Sequence, residues 1–346
     1  MSLVTPVPLA QLTTMRVGGV PKSLNRSESA QELYEAVRAS WDSTERFHVL
    51  AGGSNTVFAD DLSELNIIQV ANRGIEVLSE DDHHVTLRVQ AGEDWDQFVA
   101  WCVERGYAGI EAMSGIPGSV GATPVQNVGA YGQEVSQVIT QAEFLDSDSG
   151  ELAVQPASYF EFSYRDSALK RGKKGVIGWV EFKLQKLGGL SVPMASGQIT
   201  NHVGAEYGWQ LPLAKVREVV LELRGSKGMV VSESDPNSVS CGSFFTNPVV
   251  SSVKALEFPE DMQKWRMDDQ ESVKLSAGWL IENAGIPKGY SLPGSKAAVS
   301  SKHALAIINT GGATSAEIAE LARFIQERVS SRWGMTLVPE PNLIGF

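Results

Sequence analysis

The sequence predicts an α+β fold, and three observations carry that reading. The first seventy residues alternate strand-like and helix-like stretches, while strand patterns at 75–92 and 138–184 imply further sheet. Two glycine-rich bends, Gly52-Gly53-Ser54-Asn55 and the run from Ser114 to Gly132, lie about a small domain's length apart. Neither G-x-G-x-x-G nor G-x-x-x-x-G-K-[ST] occurs, so the doubly wound dinucleotide fold and the P-loop both lack their signatures.

Taken in order, Leu33, Ala36 and Val37 share one face of a helix over 28–37. Ser27 or Ser29 is its N-cap, since a serine hydroxyl accepts from an unpaired amide of the first turn. Strands follow at 48–50 and 66–70. Between 75 and 92, Val85, Leu87 and Val89 alternate with Thr86, Arg88 and Gln90, which buries one face of a strand. His83 and His84, among Glu80, Asp81 and Asp82, mark a solvated hairpin tip. Trp95, Phe98, Val99 and Cys102 return to helical spacing over 94–105, capped by Asp94. Strands at 138–145, 152–154 and 176–184 build a second sheet around a polar, aromatic turn at 162–167. Residues 185–212 lack regular pattern and suit a boundary or an insertion. Leu213, Val216, Val219, Val220 and Leu223 make 212–224 amphipathic, and 315–333 forms the last helix, capped by Ser315. The chain reads as three parts: 1–70, 71–190 and 191–346.

At 346 residues the chain is long enough for two or three domains with proper cores. A net charge of −12 leaves no basic face for nucleic acid, though small anions need only a few local cations. Cys102 and Cys241 cannot make a disulfide framework; with no apolar leader after Met1 they point to the reducing cytosol. No apolar run reaches the length of a membrane span. Scattered histidines without H-E-x-x-H or C-x-x-C argue against a metal site.

A helix would not tolerate the glycine density of 114–132, and a strand would have little side chain to pack. A backbone stripped of side chains lets bare N–H groups point at phosphate oxygens. Gln126, Asn127 and Tyr131 add contacts for something planar and polar. The run therefore reads as the wall of a dinucleotide site, with Gly52 to Asn55 as a second nest of amides for its diphosphate. The plainer alternative is a string of linked turns. Against it stand the run's length, its apolar Ile116, Val120, Val125 and Val128, and the second bend.

These segments, together with Thr14-Met15-Arg16-Val17-Gly18-Gly19, Ile116-Pro117-Gly118-Ser119-Val120-Gly121, Gln126 to Gly132, Tyr164-Arg165-Asp166-Ser167, Gly242-Ser243-Phe244-Phe245-Thr246-Asn247-Pro248 and the ending around Pro339-Glu340, resemble the UDP-N-acetylenolpyruvoylglucosamine reductase (MurB) family. The resemblance spans nearly the whole chain, in the family's order. It implies an FAD-binding module of the vanillyl-alcohol-oxidase type made of two subdomains, 1–70 and 71–190. A C-terminal α+β substrate domain, 191–346, follows, its tail returning to the active site. The implied activity is NADPH-dependent reduction of an enolpyruvyl ether on a UDP-sugar for peptidoglycan synthesis. The implied FAD contacts, non-covalent, are Gly52, Gly53, Ser54, Asn55, Ser114, Gly115, Pro117, Gly118, Gly121, Gln126, Asn127, Gly129, Ala130 and Tyr131.

That reaction leaves negative charge beside the substrate carboxylate, which calls for a cation and a placed proton donor. Arg165 offers a guanidinium fork matched to a carboxylate; from the residues alone, a structural ion pair with a carboxylate such as nearby Asp166 is the plainer reading. The resemblance makes Arg165 catalytic, Ser243 the proton donor and Glu340, held between Pro339 and Pro341, the third catalytic residue. Arg224 and Lys227, three residues apart, read as a diphosphate clamp, and the resemblance adds Lys227 and Asn247 as substrate residues. The family's inserted loop carries a lid tyrosine. None stands at 192–200, so the lid falls to Tyr207 or Trp209. An FAD-dependent oxidase of a small alcohol or sugar is the alternative enzyme, and a flavin-free UDP-sugar sensor the alternative binder.

Overall fold

The computed structural model describes residues 2–267 and 269–346, which fold as two units. The first contains the chain up to Val7, Pro21–Gly53 and Ser63–Gly225; the second contains Pro8–Val20, Ser54–Leu62 and Ser226–Phe346.

In the first unit, Ser29 accepts the Glu32 amide at 3.2 Å and starts α1 (Ala30–Trp41), while Asp94 accepts the Gln97 amide at 2.9 Å and starts α2 (Trp95–Glu104). Strands Ser2–Val4, Pro21–Ser27, Leu62–Val70 and Arg46–Leu50 lie side by side in that order, the last pair parallel. A second sheet runs Leu152–Pro156, Ile139–Asp146, Gly175–Lys186, His84–Gln90, Ile75–Glu80, antiparallel throughout, with Tyr107–Ala108 added on Gly175–Lys186. The alternation at 85–89 puts Val85, Leu87 and Val89 inside with Phe98, Phe144 and Phe182, the rings of Phe98 and Phe182 5.2 Å apart. His83 is exposed at the hairpin tip, where the Asp81 carboxylate accepts the His83 and His84 amides.

The division at 190 is cut differently by packing. Residues 197–203 form α3 (Gly197–Val203) and 213–225 form α4 (Leu213–Gly225), whose Val216, Val219 and Val220 pack with Ala112, Met194 and Ile199. The stretch to Gly225 thus completes the first unit, because α4 buries its apolar face there. Conversely, 8–20 and 54–62 belong with the C-terminal residues. There Thr56–Phe58 pairs in parallel with Asn342–Ile344.

The second unit builds on the sheet Val249–Ser251, Ser272–Leu275, Lys264–Arg266 and the pair Ala297–Val299 with Ile307–Asn309. Its helices are α5 (Ser252–Ala255), α6 (Ala277–Glu282) and α7 (Ser315–Trp333), the last two packed on Phe244, Phe245 and Val299. The cap of α7 is Thr314 rather than Ser315. Thr314 and Glu317 form a reciprocal capping box, and the Ser315 amide donates to Asp60 Oδ1 at 2.9 Å. Among the described residues no helix is long and apolar enough to cross a membrane.

Candidate active site

In the first unit the two glycine-rich bends meet. The strand Arg46–Leu50 delivers the chain into Gly52 and Gly53, and a Cβ on Gly52 would lie 2.6 Å from the Gly118 main chain and 2.8 Å from the Ser119 nitrogen. Only a residue without a side chain allows that approach. Gly53 (φ +62°) and Gly118 (φ +129°) also take backbone conformations that side chains oppose. Hydrogen bonds from Trp95 N–H to Gly118 O (3.1 Å) and from Val120 N–H to Glu93 O (2.9 Å) pin the second bend. The amides of Gly52, Gly53, Gly118 and Ser119 donate to no acceptor among the described residues, and the buried Ser119 hydroxyl has no partner there. Unmet donors around a cradle that a Cβ would fill fit the diphosphate of the dinucleotide that the resemblance implies. Ser54 and Asn55, the rest of the first bend, belong to the second unit.

Elsewhere in the run several of the groups expected to face a cofactor bond within the protein. Contrary to the expectation that the glycines bar any helix, Val120–Gln126 forms a 3₁₀ helix, since Gly121 is the one glycine within it. The Gly115 amide donates to Asp96 Oδ1 (2.5 Å) and the Gly121 amide to Ala91 O (2.8 Å), while the Ser114 hydroxyl donates to Glu111 O (2.7 Å). Asn127, 1% exposed and left-handed at φ +46°, gives its amide group to Glu134 and Ser163 O and accepts from the Ser136 amide. A buried amide left unmet would be costly, so this side chain braces the loop from within. Gln126 accepts from Lys170 at 3.1 Å, and Pro117 lies at the bend itself. Gly129 and Ala130 pair with Glu134 and Gln133 in a hairpin turned by Tyr131 (φ +51°) and Gly132 (φ +87°), both left-handed as a tight two-residue turn requires.

That hairpin receives Arg165. Its Nη2 donates to Gly129 O at 2.5 Å, its Nη1 stands 3.8 Å from the Glu134 carboxylate, and its guanidinium lies 5.3 Å from the Tyr164 ring centre. A Cβ on Gly129 would lie 2.5 Å from Gln133 O and 2.7 Å from Glu134 Cγ, so the hairpin itself requires glycine there, with Arg165 Nη1 the next atom out at 3.2 Å. Arg165 is itself left-handed (φ +53°), and its buried Nη1 makes no hydrogen bond among the described residues. The ion pair that the plainer reading expects is made with Glu134 rather than with Asp166, which binds Arg171. Arg224, at the end of α4, is pushed down in pKa by burial, with Arg165 adding to the effect while Tyr131 and Asp96 oppose it. Two guanidiniums that sense each other beside an unmet N–H favour an anionic guest. Arg224 has Tyr131, Asp96 and Arg165 as neighbours in the first unit, while Lys227, in the second, acts on His303.

In the second unit Ser243 and Glu340 lie on neighbouring extended segments. Phe244 N–H donates to Leu305 O (2.7 Å), Glu340 N–H to Phe244 O (2.9 Å) and Thr246 N–H to Val338 O (3.0 Å). Phe244 and Phe245, almost fully buried, anchor the stretch, leaving the half-buried Ser243 hydroxyl without a hydrogen bond among the described residues. Glu340 O accepts from the Asn55 side chain (3.3 Å), and Asn55 O accepts from the Asn342 amide (3.0 Å), so the end of the first bend fixes the Glu340 backbone. Asn247 Oδ1 accepts the Ala277 amide (2.9 Å), which ties it to the start of α6. His303 accepts the Leu305 amide on Nδ1 (3.3 Å), placing the proton of its neutral ring on Nε2; burial first, then Lys227 and Lys288, lower its pKa to about 4.

Sequence reasoning missed Asp96, Glu134 and Thr14, whose hydroxyl lies 2.7 Å from Ser240 O. The first reads as an ordinary acid in a helical first turn. Thr14 gains its partner only when distant segments meet, whereas Glu134 already joins a local capping box with Gln137 and adds Arg165 from a distant turn.

The family model described as FAD binding domain matches residues 21–154, and the model described as UDP-N-acetylenolpyruvoylglucosamine reductase, C-terminal domain, matches 235–344. Proteins named UDP-N-acetylenolpyruvoylglucosamine reductase are similar along the whole chain. That of Leifsonia xyli is 44% identical over 99% of both chains, and that of Thermobifida fusca 42% identical over 98% of this chain and 97% of its own. The crystal structure of the Thermus caldophilus reductase superposes with a TM-score of 0.67 at 23% identity, covering 99% of each chain, and so shares the fold.

Proposed function

The chain belongs to the UDP-N-acetylenolpyruvoylglucosamine reductase family, and from that premise we propose which side chains carry its reaction. It is an FAD-dependent oxidoreductase that reduces the enolpyruvyl ether of the UDP-sugar to UDP-N-acetylmuramate with NADPH, in peptidoglycan synthesis. When bound, FAD supplies the hydride.

The amides of Gly52, Gly53, Gly118 and Ser119 hold the FAD diphosphate, with Ser54 and Asn55 continuing the first bend. Arg165 grips the substrate carboxylate through its guanidinium fork and stabilises the charge that develops beside it; Arg224 is the second cation for that charge. The Ser243 hydroxyl donates the proton to the carbon next to the carboxylate, and Glu340 polarises the carboxyl end of the substrate. Lys227 takes the diphosphate of the UDP group, with Asn247 bordering it. The observation that supports this reading best is Arg165: a strained backbone and one buried N–H with no hydrogen bond among the described residues. A cytoplasmic site of action is part of the same reading, supported by two buried, unbridged cysteines, Cys102 and Cys241.

The test separates the two half-reactions. Ser243→Ala leaves bleaching of the flavin absorbance by NADPH near wild type and slows reoxidation by the UDP-sugar about 10²- to 10⁴-fold, the range for a lost proton donor. Equal loss in both half-reactions contradicts the assignment.

A further inference from the structure

An acid in the first turn of a helix is ordinarily a solvated partner of the helix dipole. Asp96 in α2 is engaged otherwise. Its Oδ1 accepts the Gly115 amide (2.5 Å) and Arg217 Nη1 (2.6 Å), and its Oδ2 accepts Arg217 Nη2 (2.9 Å). Both side chains are mostly buried, at 27% and 19% exposure, where a bidentate pair is screened less than at the surface. Gly115 is left-handed (φ +73°) and stands near the head of the glycine-rich run, three residues before Gly118. Arg217 lies on α4 seven residues before Arg224, close to two helical turns, so both arginines occupy one face. Burial pushes the Asp96 carboxyl up, but the Arg217 and Gly115 hydrogen bonds and the charges of Arg217 and Arg224 outweigh it, keeping Asp96 ionised. One carboxylate thus joins α2, the head of the run and the helix that carries Arg224, all within the first unit.

We propose that Asp96 is a positioning residue with two separable jobs. Its bond to Gly115 registers the run that cradles FAD, and its pair with Arg217 fixes α4 and thereby Arg224 toward the substrate. This rests on the flavoenzyme reading above. A carboxylate that merely stapled two helices would have no need of the third bond, to a main-chain amide in the run.

The experiment uses the full-length holoenzyme and two readouts: the rate of FAD release on dilution, followed by flavin fluorescence, and KM for the UDP-sugar. Asp96→Ala removes both jobs and is expected to speed FAD release about tenfold or more, as loss of a charge-assisted hydrogen bond implies, and to raise KM. Arg217→Met leaves the Gly115 bond in place. It is expected to raise KM about tenfold while FAD release stays within about threefold of wild type. Asp96→Asn keeps an acceptor for Gly115 but not the ion pair, so it should follow Arg217→Met; this variant decides the matter if the alanine does not fold. FAD release from Asp96→Ala no faster than from Arg217→Met overturns the proposal, as does an unchanged KM in Arg217→Met and Asp96→Asn. Wild-type protein purified without flavin absorbance would instead overturn the flavoenzyme reading itself.

Discussion

Around Arg165, in the first unit, groups are held by backbone that few residues adopt and by side chains bonded to main chain. Asn127, Tyr131 and Arg165 all have positive φ, and Asn127 and Arg165 spend hydrogen bonds on carbonyls of the loops around them. Around Ser243, in the second unit, the holding is done by main-chain bonds between extended segments far apart in sequence: Phe244 with Leu305 and with Glu340. The first arrangement depends on residue identity at many positions, because a positive φ or a bare Cα cannot be substituted cheaply. The second depends on pairing and on two buried phenylalanines, so it tolerates changes that preserve extended backbone. Substitutions around Arg165 should therefore cost more, residue for residue, than those flanking Ser243.

The largest effect expected is at Arg165. Arg165→Lys keeps the charge but loses the fork, and kcat/KM for the UDP-sugar should fall about 10²- to 10³-fold with FAD content unchanged. Wild-type kinetics in this variant would remove the carboxylate role. Next comes the meeting of the bends. Gly52→Ala forces atoms to 2.6 Å from the Gly118 backbone and should weaken FAD affinity about tenfold to hundredfold by fluorescence titration. Gly197→Ala, where a Cβ meets nothing within 4 Å, is the matched control and should bind FAD as wild type does.

A smaller effect compares the two units through acid. His48 in the first and His303 in the second both have folded pKa values lowered from 6.5 to about 4, mainly by burial. Between those values the unfolded chain binds protons that the folded one refuses, so stability falls as pH drops from about 6.5 toward about 4. The slope is at most about 1.4 kcal/mol per pH unit for each histidine, less what its solvent-facing edge screens. Urea melts across that window should flatten in part for His48→Gln and in part for His303→Gln; unchanged slopes in both would show that neither histidine stays neutral. The smallest effect is at the surface. Tyr207 and Trp209, 73% and 51% exposed, are the candidates for a substrate lid. Replacing each with alanine should raise KM for the UDP-sugar a few-fold without touching the bleaching by NADPH, and unaltered KM in both discards the lid.

Much of the fold was legible because short-range physics writes it into the chain. The spacing of Leu33, Ala36 and Val37, the cap at Asp94, and the alternation at 85–89 each report a period or a hydrogen bond made within a few residues. The two glycine bends were legible for the same reason, since bare backbone and left-handed φ leave a mark at the position that needs them. Which amides in those bends stay open was not, because Gly115 and Gly121 lose theirs to Asp96 and Ala91, partners that local pattern cannot name. The allotment of residues 191–225 to the first unit was likewise settled by where α4 buries its valines. By itself the sequence determined the elements, the bends and the kinds of chemical group on offer. Tertiary structure alone decided which groups are satisfied within the protein and which are left for a ligand, because hydrogen-bond satisfaction depends on neighbours that chain distance does not predict.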